Sequence, residues 1–231
     1  MFDLTITFDN GPSEVTDKVL DLLKLYGIKA TFFVVGRQMA DPTLRRHAQR
    51  AVAEGHWIGN HTYTHSYTFG QFEDFDASLV EVTKTQDIIG DLQHTDRLIR
   101  PFADGGVYDE RILNFPVYEY LKAERFTIVF GNACPRDFEF YDWVPRALEQ
   151  CAERPWTLMV LHDLPGMAWP NLERFLPLAL EAGARFRQDF PPECVPLQRG
   201  TVTAPIDHLI AKKPVPRRAP PGRADTTAVG Q

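Results

Sequence analysis

The feature that most constrains this chain is an alternation of short apolar runs with stretches whose apolar residues recur at helical spacing. Residues 4–8, Leu-Thr-Ile-Thr-Phe, read as a strand. Gly11-Pro12-Ser13 follows, and then Val15, Val19, Leu22, Leu23 and Tyr26 fall on one helical face, with Gly27 placed as a stop. Residues 30–35 form a continuous apolar run, as in a strand covered on both faces. A helix over 42–54 is stopped by Gly55, and a short strand over 57–60 leads directly into His61. A long helix is predicted over 72–90, with Phe75, Leu79, Val82 and Ile89 inward. Strands over 98–100, 127–131 and 158–161 alternate with helices over 117–124, 144–153 and 171–182. Repeated βα units imply a parallel sheet with right-handed crossovers. Periodicity leaves both a barrel and an open doubly wound sheet available, and a closed or nearly closed barrel is preferred.

The length of 231 residues suits one such domain, expected over residues 1–210. Residues 211–231 hold Pro214, Pro216, Pro220 and Pro221 among basic residues and read as a flexible Pro/Arg-rich tail. Five basic residues against one acid give that tail a charge of +4, so the −6 of the whole chain leaves −10 on the body. An acidic body is a poor partner for nucleic acid. No run approaches the roughly 20 apolar residues of a membrane span. The N-terminus shows no basic segment followed by an apolar stretch, which sets an expectation of cytoplasmic residence. Cys134, Cys151 and Cys194 form no CxxC pair, so they read as reduced cysteines in or near the core. No GxGxxG or GxxxxGK loop is present, which weakens nucleotide-binding readings. Oligomeric state leaves no signal.

Polar candidates gather at the C-terminal ends of the predicted strands. Asp9 and Asn10 follow the first strand, His61 and His65 the third, Arg100 the next; Asp137 lies beyond Gly131, and His162 with Asp163 ends the last. In parallel α/β folds those ends form one rim, where active sites assemble. Two histidines four residues apart on a helical turn share a face and can grip one cation. Their alternative is a hydrogen-bonded pair, but the carboxylate and amide on a neighbouring strand end favour the metal. The alternative role for Asp9 is a cap on the following turn or helix, for which Ser13 is better placed. Arg100 beside Asp9 would hold its carboxylate ionised. A carboxylate beside His162 would orient the ring and keep it protonated, as a general acid must be. Asp137 is one such carboxylate, and nearby Asp142 is another.

These motifs resemble the polysaccharide deacetylases, the NodB-homology group of carbohydrate esterase family 4. Thr7-Phe-Asp-Asn-Gly-Pro12 is similar to that family's TFDDGP, and His61-Thr-Tyr-Thr-His65 to its H-[ST]-x-x-H. Arg100-Pro101-Phe102 resembles the arginine motif, Cys134-Pro-Arg-Asp-Phe138 the D-P-x-D-W element, and Leu161-His-Asp163 the L-H-D element. The five occur in family order. The resemblance implies a distorted (β/α)7 barrel and metal-assisted removal of N-acetyl groups from amino sugars, usually with zinc. It implies Asp9 as base, Arg100 as its orienting partner and His162 as acid paired with Asp137. His61, His65 and the residue at Asn10 would hold the metal, and the Phe102 N–H would help hold the oxyanion. Leu161 and Trp143 are further candidates for substrate contact.

Two departures stand out. Asn10 occupies the family's aspartate ligand position, so a cation there loses a charge partner. Changes even in the outer shell of a metal typically cost ~10–100-fold in affinity, and a ligand change costs at least that. Cys134 and Phe138 replace the first acid and the tryptophan of the fourth element. The leading expectation is therefore a metal-assisted deacetylase acting on an N-acetylated amino sugar. The alternatives are a metal-independent small-amide hydrolase of the same fold, or a carbohydrate-binding pseudoenzyme.

Overall fold

A computed structural model describes residues 1–216; most of the expected tail, including Arg217, Arg218 and Arg223, lies outside the described residues. The chain runs β1 (Phe2–Asp9), α1 (Thr16–Leu25), β2 (Thr31–Val34), α2 (Gly36–Met39), α3 (Pro42–Ala53), β3 (Trp57–Asn60), α4 (Leu79–Ile89), β4 (Leu98–Ile99) and β5 (Leu113–Asn114). It continues with α5 (Phe115–Ala123), β6 (Thr127–Ile128), α6 (Val144–Ala152), β7 (Trp156–His162), α7 (Leu172–Glu181), β8 (Ala184–Arg187), β9 (Leu197–Gln198), β10 (Thr201–Val202) and β11 (Ile210–Ala211). Strands β6, β4, β3, β2, β1 and β7 lie side by side and parallel, with β8 against the first half of β1.

The sheet curls until its two ends meet. Beyond β6, the Val129 N–H donates to the Ile99 carbonyl at 2.9 Å. The Ala133 N–H then reaches the Leu158 carbonyl at 3.2 Å, and the Val160 N–H returns to the Ala133 carbonyl at 2.9 Å. Gly131 makes this seam possible, because a Cβ there would lie 2.2 Å from Val160 Cγ2. The result is the distorted (β/α)7 barrel, joined along one short seam.

Period-two alternation sorts the strands into two layers. Leu4, Ile6 and Phe8 pack outward with Val19, Leu20 and Phe175 of the covering helices. Phe33, Leu98, Val129, Leu158, Val160 and Cys194 form a separate cluster inside the barrel. Thr7 and Asp9, on the other face of β1 from Phe8, take hydrogen bonds from Arg100 there. A third cluster, including Phe69, Val117, Leu121 and Phe126, seats α5 against β6.

Local chemistry sets the helix ends. The Asp41 side chain accepts from the Thr43 N–H ahead of α3, with Pro42 in its first turn. Asn114 does the same for α5 through the Val117 N–H. Gly27 and Gly55 follow their helices at φ +66° and +84°, where a side chain would be strained.

Three expectations need correction. The helix over 72–90 begins only at Leu79, because Asp74 Oδ1 accepts from the N–H groups of Asp76 and Ala77 and turns the chain locally. Ser13 is not the N-cap residue of α1, which is Val15 without a side-chain bond; the Ser13 hydroxyl accepts from the Val15 N–H at 3.2 Å, in the turn ahead of the helix, and donates to the Asp163 carbonyl at 2.5 Å. Residue 211 does not open a loose tail: Ile210–Ala211 pairs with Leu113–Asn114, and the Val215 N–H donates to the Gly70 carbonyl.

Candidate active site

Strand register brings the rim residues together. Asp9 and His162 are direct partners across β1 and β7, at the C-terminal ends of both strands. His61 follows β3 and Arg100 follows β4, two neighbouring strands of the same sheet. All four line one cavity of about 590 Å³, together with Asn10, His65, Phe102, Tyr108 and Phe138.

Arg100 is the organising cation. Its Nη1 donates to Asp9 Oδ1 at 2.7 Å and to Thr7 Oγ1 at 2.8 Å, while its Nε donates to the Val129 carbonyl at 3.0 Å. The guanidinium stacks over the Phe33 ring at 4.2 Å. Burial makes this ion pair sensitive: removing one partner leaves the other's charge uncompensated, a loss of roughly 3–5 kcal/mol.

His61 has a defined tautomer. Its Nδ1 lies 2.6 Å from the Arg100 carbonyl, which can only accept, so Nδ1 carries the proton. The Nε2 lone pair therefore faces Asp9 Oδ2 at 3.6 Å. Burial lowers the pKa of His61 against the pull of Asp9. His65 is pushed further down, to about 2, by burial and then by the neighbouring His61 and His162. Both rings are neutral at ordinary pH, the state a metal ligand needs. The His65 ring centroid lies 4.8 Å from that of His61 and 4.2 Å from that of Phe102.

The turn carrying these rings is strained. Thr62 and His65 have φ of +67° and +54°, each costing roughly 1–3 kcal/mol for a residue other than glycine. Asn10, at φ +74°, is a third such residue. Its backbone carbonyl accepts from Gln38 Nε2 at 2.9 Å, and its side-chain Oδ1 is buried without a hydrogen-bond partner. Below it, Gly11 packs on Asp163, whose carboxylate would be 2.2 Å from any Cβ. Burial raises the Asp163 pKa to about 6 although Thr16 Oγ1 donates to it at 2.5 Å.

Asp9, Asn10, His61 and His65 offer a carboxylate, an orphaned amide oxygen and two neutral imidazoles. That donor set fits a divalent cation, with one negative charge fewer than an aspartate at position 10 would give. Among the described residues, no group of three His, Cys, Asp or Glu side chains is arranged to hold a metal. The buried Asn10 Oδ1, without a hydrogen-bond partner, would be the third donor beside the two imidazoles.

On the opposite side, Asp137 grips His162 twice, through Nδ1 at 2.7 Å and through the backbone N–H at 2.8 Å. Burial opposes the charged ring, but the hydrogen bond and charge of Asp137 outweigh it and raise the His162 pKa. Asp142 lies at the surface, 3.1 Å from Arg174, and takes no part. Phe138 meets His162 edge-on at 5.2 Å. Cys134 lines the cavity, but burial pushes its thiol up to about 11, which leaves little thiolate.

Two candidates for substrate contact lie elsewhere. Leu161 follows the inward Val160 and precedes the inward His162, so alternation turns it outward into the helix-facing core. Trp143 is wholly buried ahead of α6 with its ring 5.2 Å from Phe175. Neither lines the cavity. Sequence reasoning missed Tyr108, whose hydroxyl accepts from the Gly131 N–H at 3.1 Å inside the cavity; it sits in an irregular loop with no periodicity to mark it.

A barrel with a carboxylate–arginine pair, two neutral histidines and a carboxylate–histidine pair on one rim defines a hydrolase-like site. The polysaccharide deacetylase family model matches residues 3–123 of this sequence. The chain belongs to that family. A peptidoglycan-N-acetylglucosamine deacetylase of Bacillus cereus is 29% identical over 197 residues, covering 80% of this chain and 66% of the relative. The polysaccharide deacetylase-like protein YheN of Bacillus subtilis is 27% identical over 69% of this chain and 57% of its own length. The chain thus spans rather less than two thirds of the curated relatives it matches. Among solved structures, the Bc1960 peptidoglycan N-acetylglucosamine deacetylase superposes with a TM-score of 0.67 at 26% identity, over 85% of this chain and 89% of that one.

Proposed function

We propose that this chain hydrolyses the amide of an N-acetylated amino sugar, with Asp9 as base and His162 as acid. The observation that carries this reading is the pairing of Asp9 with His162 across adjacent strand ends, each held by its own partner, Arg100 and Asp137. An amide is a poor electrophile and an amine a poor leaving group, so the reaction needs proton removal from water and proton delivery to nitrogen. Arg100 keeps the Asp9 carboxylate oriented to accept the water proton. The raised pKa of His162 keeps its proton available for the departing nitrogen, with Asp137 steadying the charged ring. The Phe102 backbone N–H is suited to receive the developing oxyanion. A divalent cation such as zinc, held by His61, His65 and Asn10, would polarise the acyl carbonyl and acidify bound water.

Family membership and the names of the relatives support an N-acetylglucosamine-containing substrate. Phe138, exposed and lining the cavity, suits the apolar face of a sugar ring. The neutral Asn10 favours one other reading, a metal-independent hydrolase of a small amide. Acetate release from N-acetylglucosamine oligomers, with added Zn²⁺ or Co²⁺ and after chelation, separates them. The metal-assisted reading expects release that chelation abolishes. Release untouched by chelation establishes the metal-independent reading, and sugar binding without any release leaves a binding module.

A further inference from the structure

The turn that carries His61 and His65 does not hold itself. Two of its five residues are left-handed, and its backbone groups must find partners outside it. Helix α4 supplies them. Glu81, only 7% exposed, points its carboxylate at the middle of the turn. Its Oε2 accepts from the Tyr63 N–H at 2.9 Å and the Thr64 N–H at 2.8 Å, and its Oε1 accepts from Thr64 Oγ1 at 3.0 Å. The same helix anchors the start of the turn: Asn60 Nδ2 donates to the Val82 carbonyl at 3.0 Å, while Asn60 Oδ1 accepts from the Thr62 N–H at 3.0 Å. From α2, the Gly36 and Arg37 N–H groups donate to the Thr62 and Tyr63 carbonyls.

We propose that Glu81 is a positioning residue that clamps the His61–His65 turn and so presents its two imidazoles to one divalent cation. The inference rests on the metal-assisted reading of the site. Glu81 touches neither histidine ring in any recorded hydrogen bond or ion pair. It acts through the backbone between them, where one buried carboxylate satisfies two N–H groups and a hydroxyl. Without it, those donors lose their partner, and α4 holds the turn only at its start, through Asn60. The imidazole separation would then vary, and a chelate of two ligands is weakened when their spacing is not fixed in advance. A carboxylate used only to stabilise α4 would not need all three of its bonds on this one turn.

The test is a Co²⁺ titration of the full chain, read from the visible absorption bands, for the wild type, Glu81→Gln and Glu81→Ala. Gln keeps one oxygen for the two N–H groups and can turn its amide toward the Thr64 hydroxyl. Lost outer partners of metal ligands typically cost ~10–100-fold in affinity, so Glu81→Ala should weaken binding by about that much while Glu81→Gln stays within about threefold of wild type. Folded Glu81→Ala with wild-type affinity and band shape overturns the inference, as does a Glu81→Gln no better than Ala. Should Glu81→Ala not fold, Thr64→Ala, which removes one of the three bonds, decides in its place: weaker Co²⁺ binding at an unchanged melting temperature supports the clamp, and unchanged binding overturns it. A wild type that shows no cobalt bands refutes the metal-assisted reading itself, an outcome distinct from failure of the clamp alone.

Discussion

Asn10 concentrates the chemical question at the scale of single residues. Its buried Oδ1 has no partner, so a cation would satisfy it, yet the amide brings no charge. Asn10→Asp should tighten Zn²⁺ binding by at least ~10-fold, measured by calorimetry, since ligand charge is worth at least as much as an outer-shell contact. An unchanged affinity would remove residue 10 from the ligand set. His162 makes a prediction about pH. As the proposed acid it would work only while protonated, so activity would be present below its folded pKa and fall as pH rises through it. Asp137 raises that pKa, and Asp137→Asn should therefore move the alkaline limb of the pH–rate profile to lower pH. A limb that stays in place would show that another group sets it. At this scale much was legible in the sequence, because Asp9 and His162 end strands, His61 and Arg100 directly follow strands, and His65 comes four residues after His61. Glu81 was not, for its role depends on which turn α4 happens to cover. Nor was the misplacement of Trp143, since an aromatic near a rim loop reads the same whether it points to substrate or core.

Among the elements, legibility followed length and hydrophobicity. The strands at 4–8, 30–35 and 57–60 are apolar enough to announce themselves, and the structure has β1, β2 and β3 there within two residues at each end. Strand β8 contains Arg185 and Arg187, both salt-bridged to Asp3, and pairs with β1 while only Ala184 and Phe186 pack, partly buried, against the core. Strands β5, β9, β10 and β11 are two residues long, below any periodic signal. The seam after β6 was foreseen only as a strand over 127–131. That it closes the sheet depends on the fit between Gly131 and Val160, which no pattern reveals. Gly131→Val should therefore force the two apart and destabilise the protein by about 1–3 kcal/mol, as overpacking does. Equilibrium urea unfolding reads this directly, and a midpoint equal to wild type would mean that the seam is slack.

At the scale of the whole molecule, the barrel makes a rim out of residues as far apart in sequence as Asp9 and His162, and residues 210–215 bond to Gly70 and to the strand Leu113–Asn114. Ending the chain after Leu209 removes the β11–β5 pairing and the Val215 bond, a few hydrogen bonds at ~0.5–1.5 kcal/mol each. For a domain of this size, each kcal/mol shifts the melting temperature by roughly 2–4 °C, so calorimetry should show a drop of several degrees. An unshifted transition would return those residues to the status of a loose tail. In the proposed reaction two sides of one cavity act together, Asp9 held by Arg100 and His162 held by Asp137. The most direct test is acetate release from an N-acetylglucosamine oligomer by the wild type and by Asp9→Ala, side by side with Zn²⁺ present. The site as described predicts release by the wild type and a fall of ~10²–10⁴-fold in the variant, the range for a lost general base. Undiminished release by Asp9→Ala would contradict it.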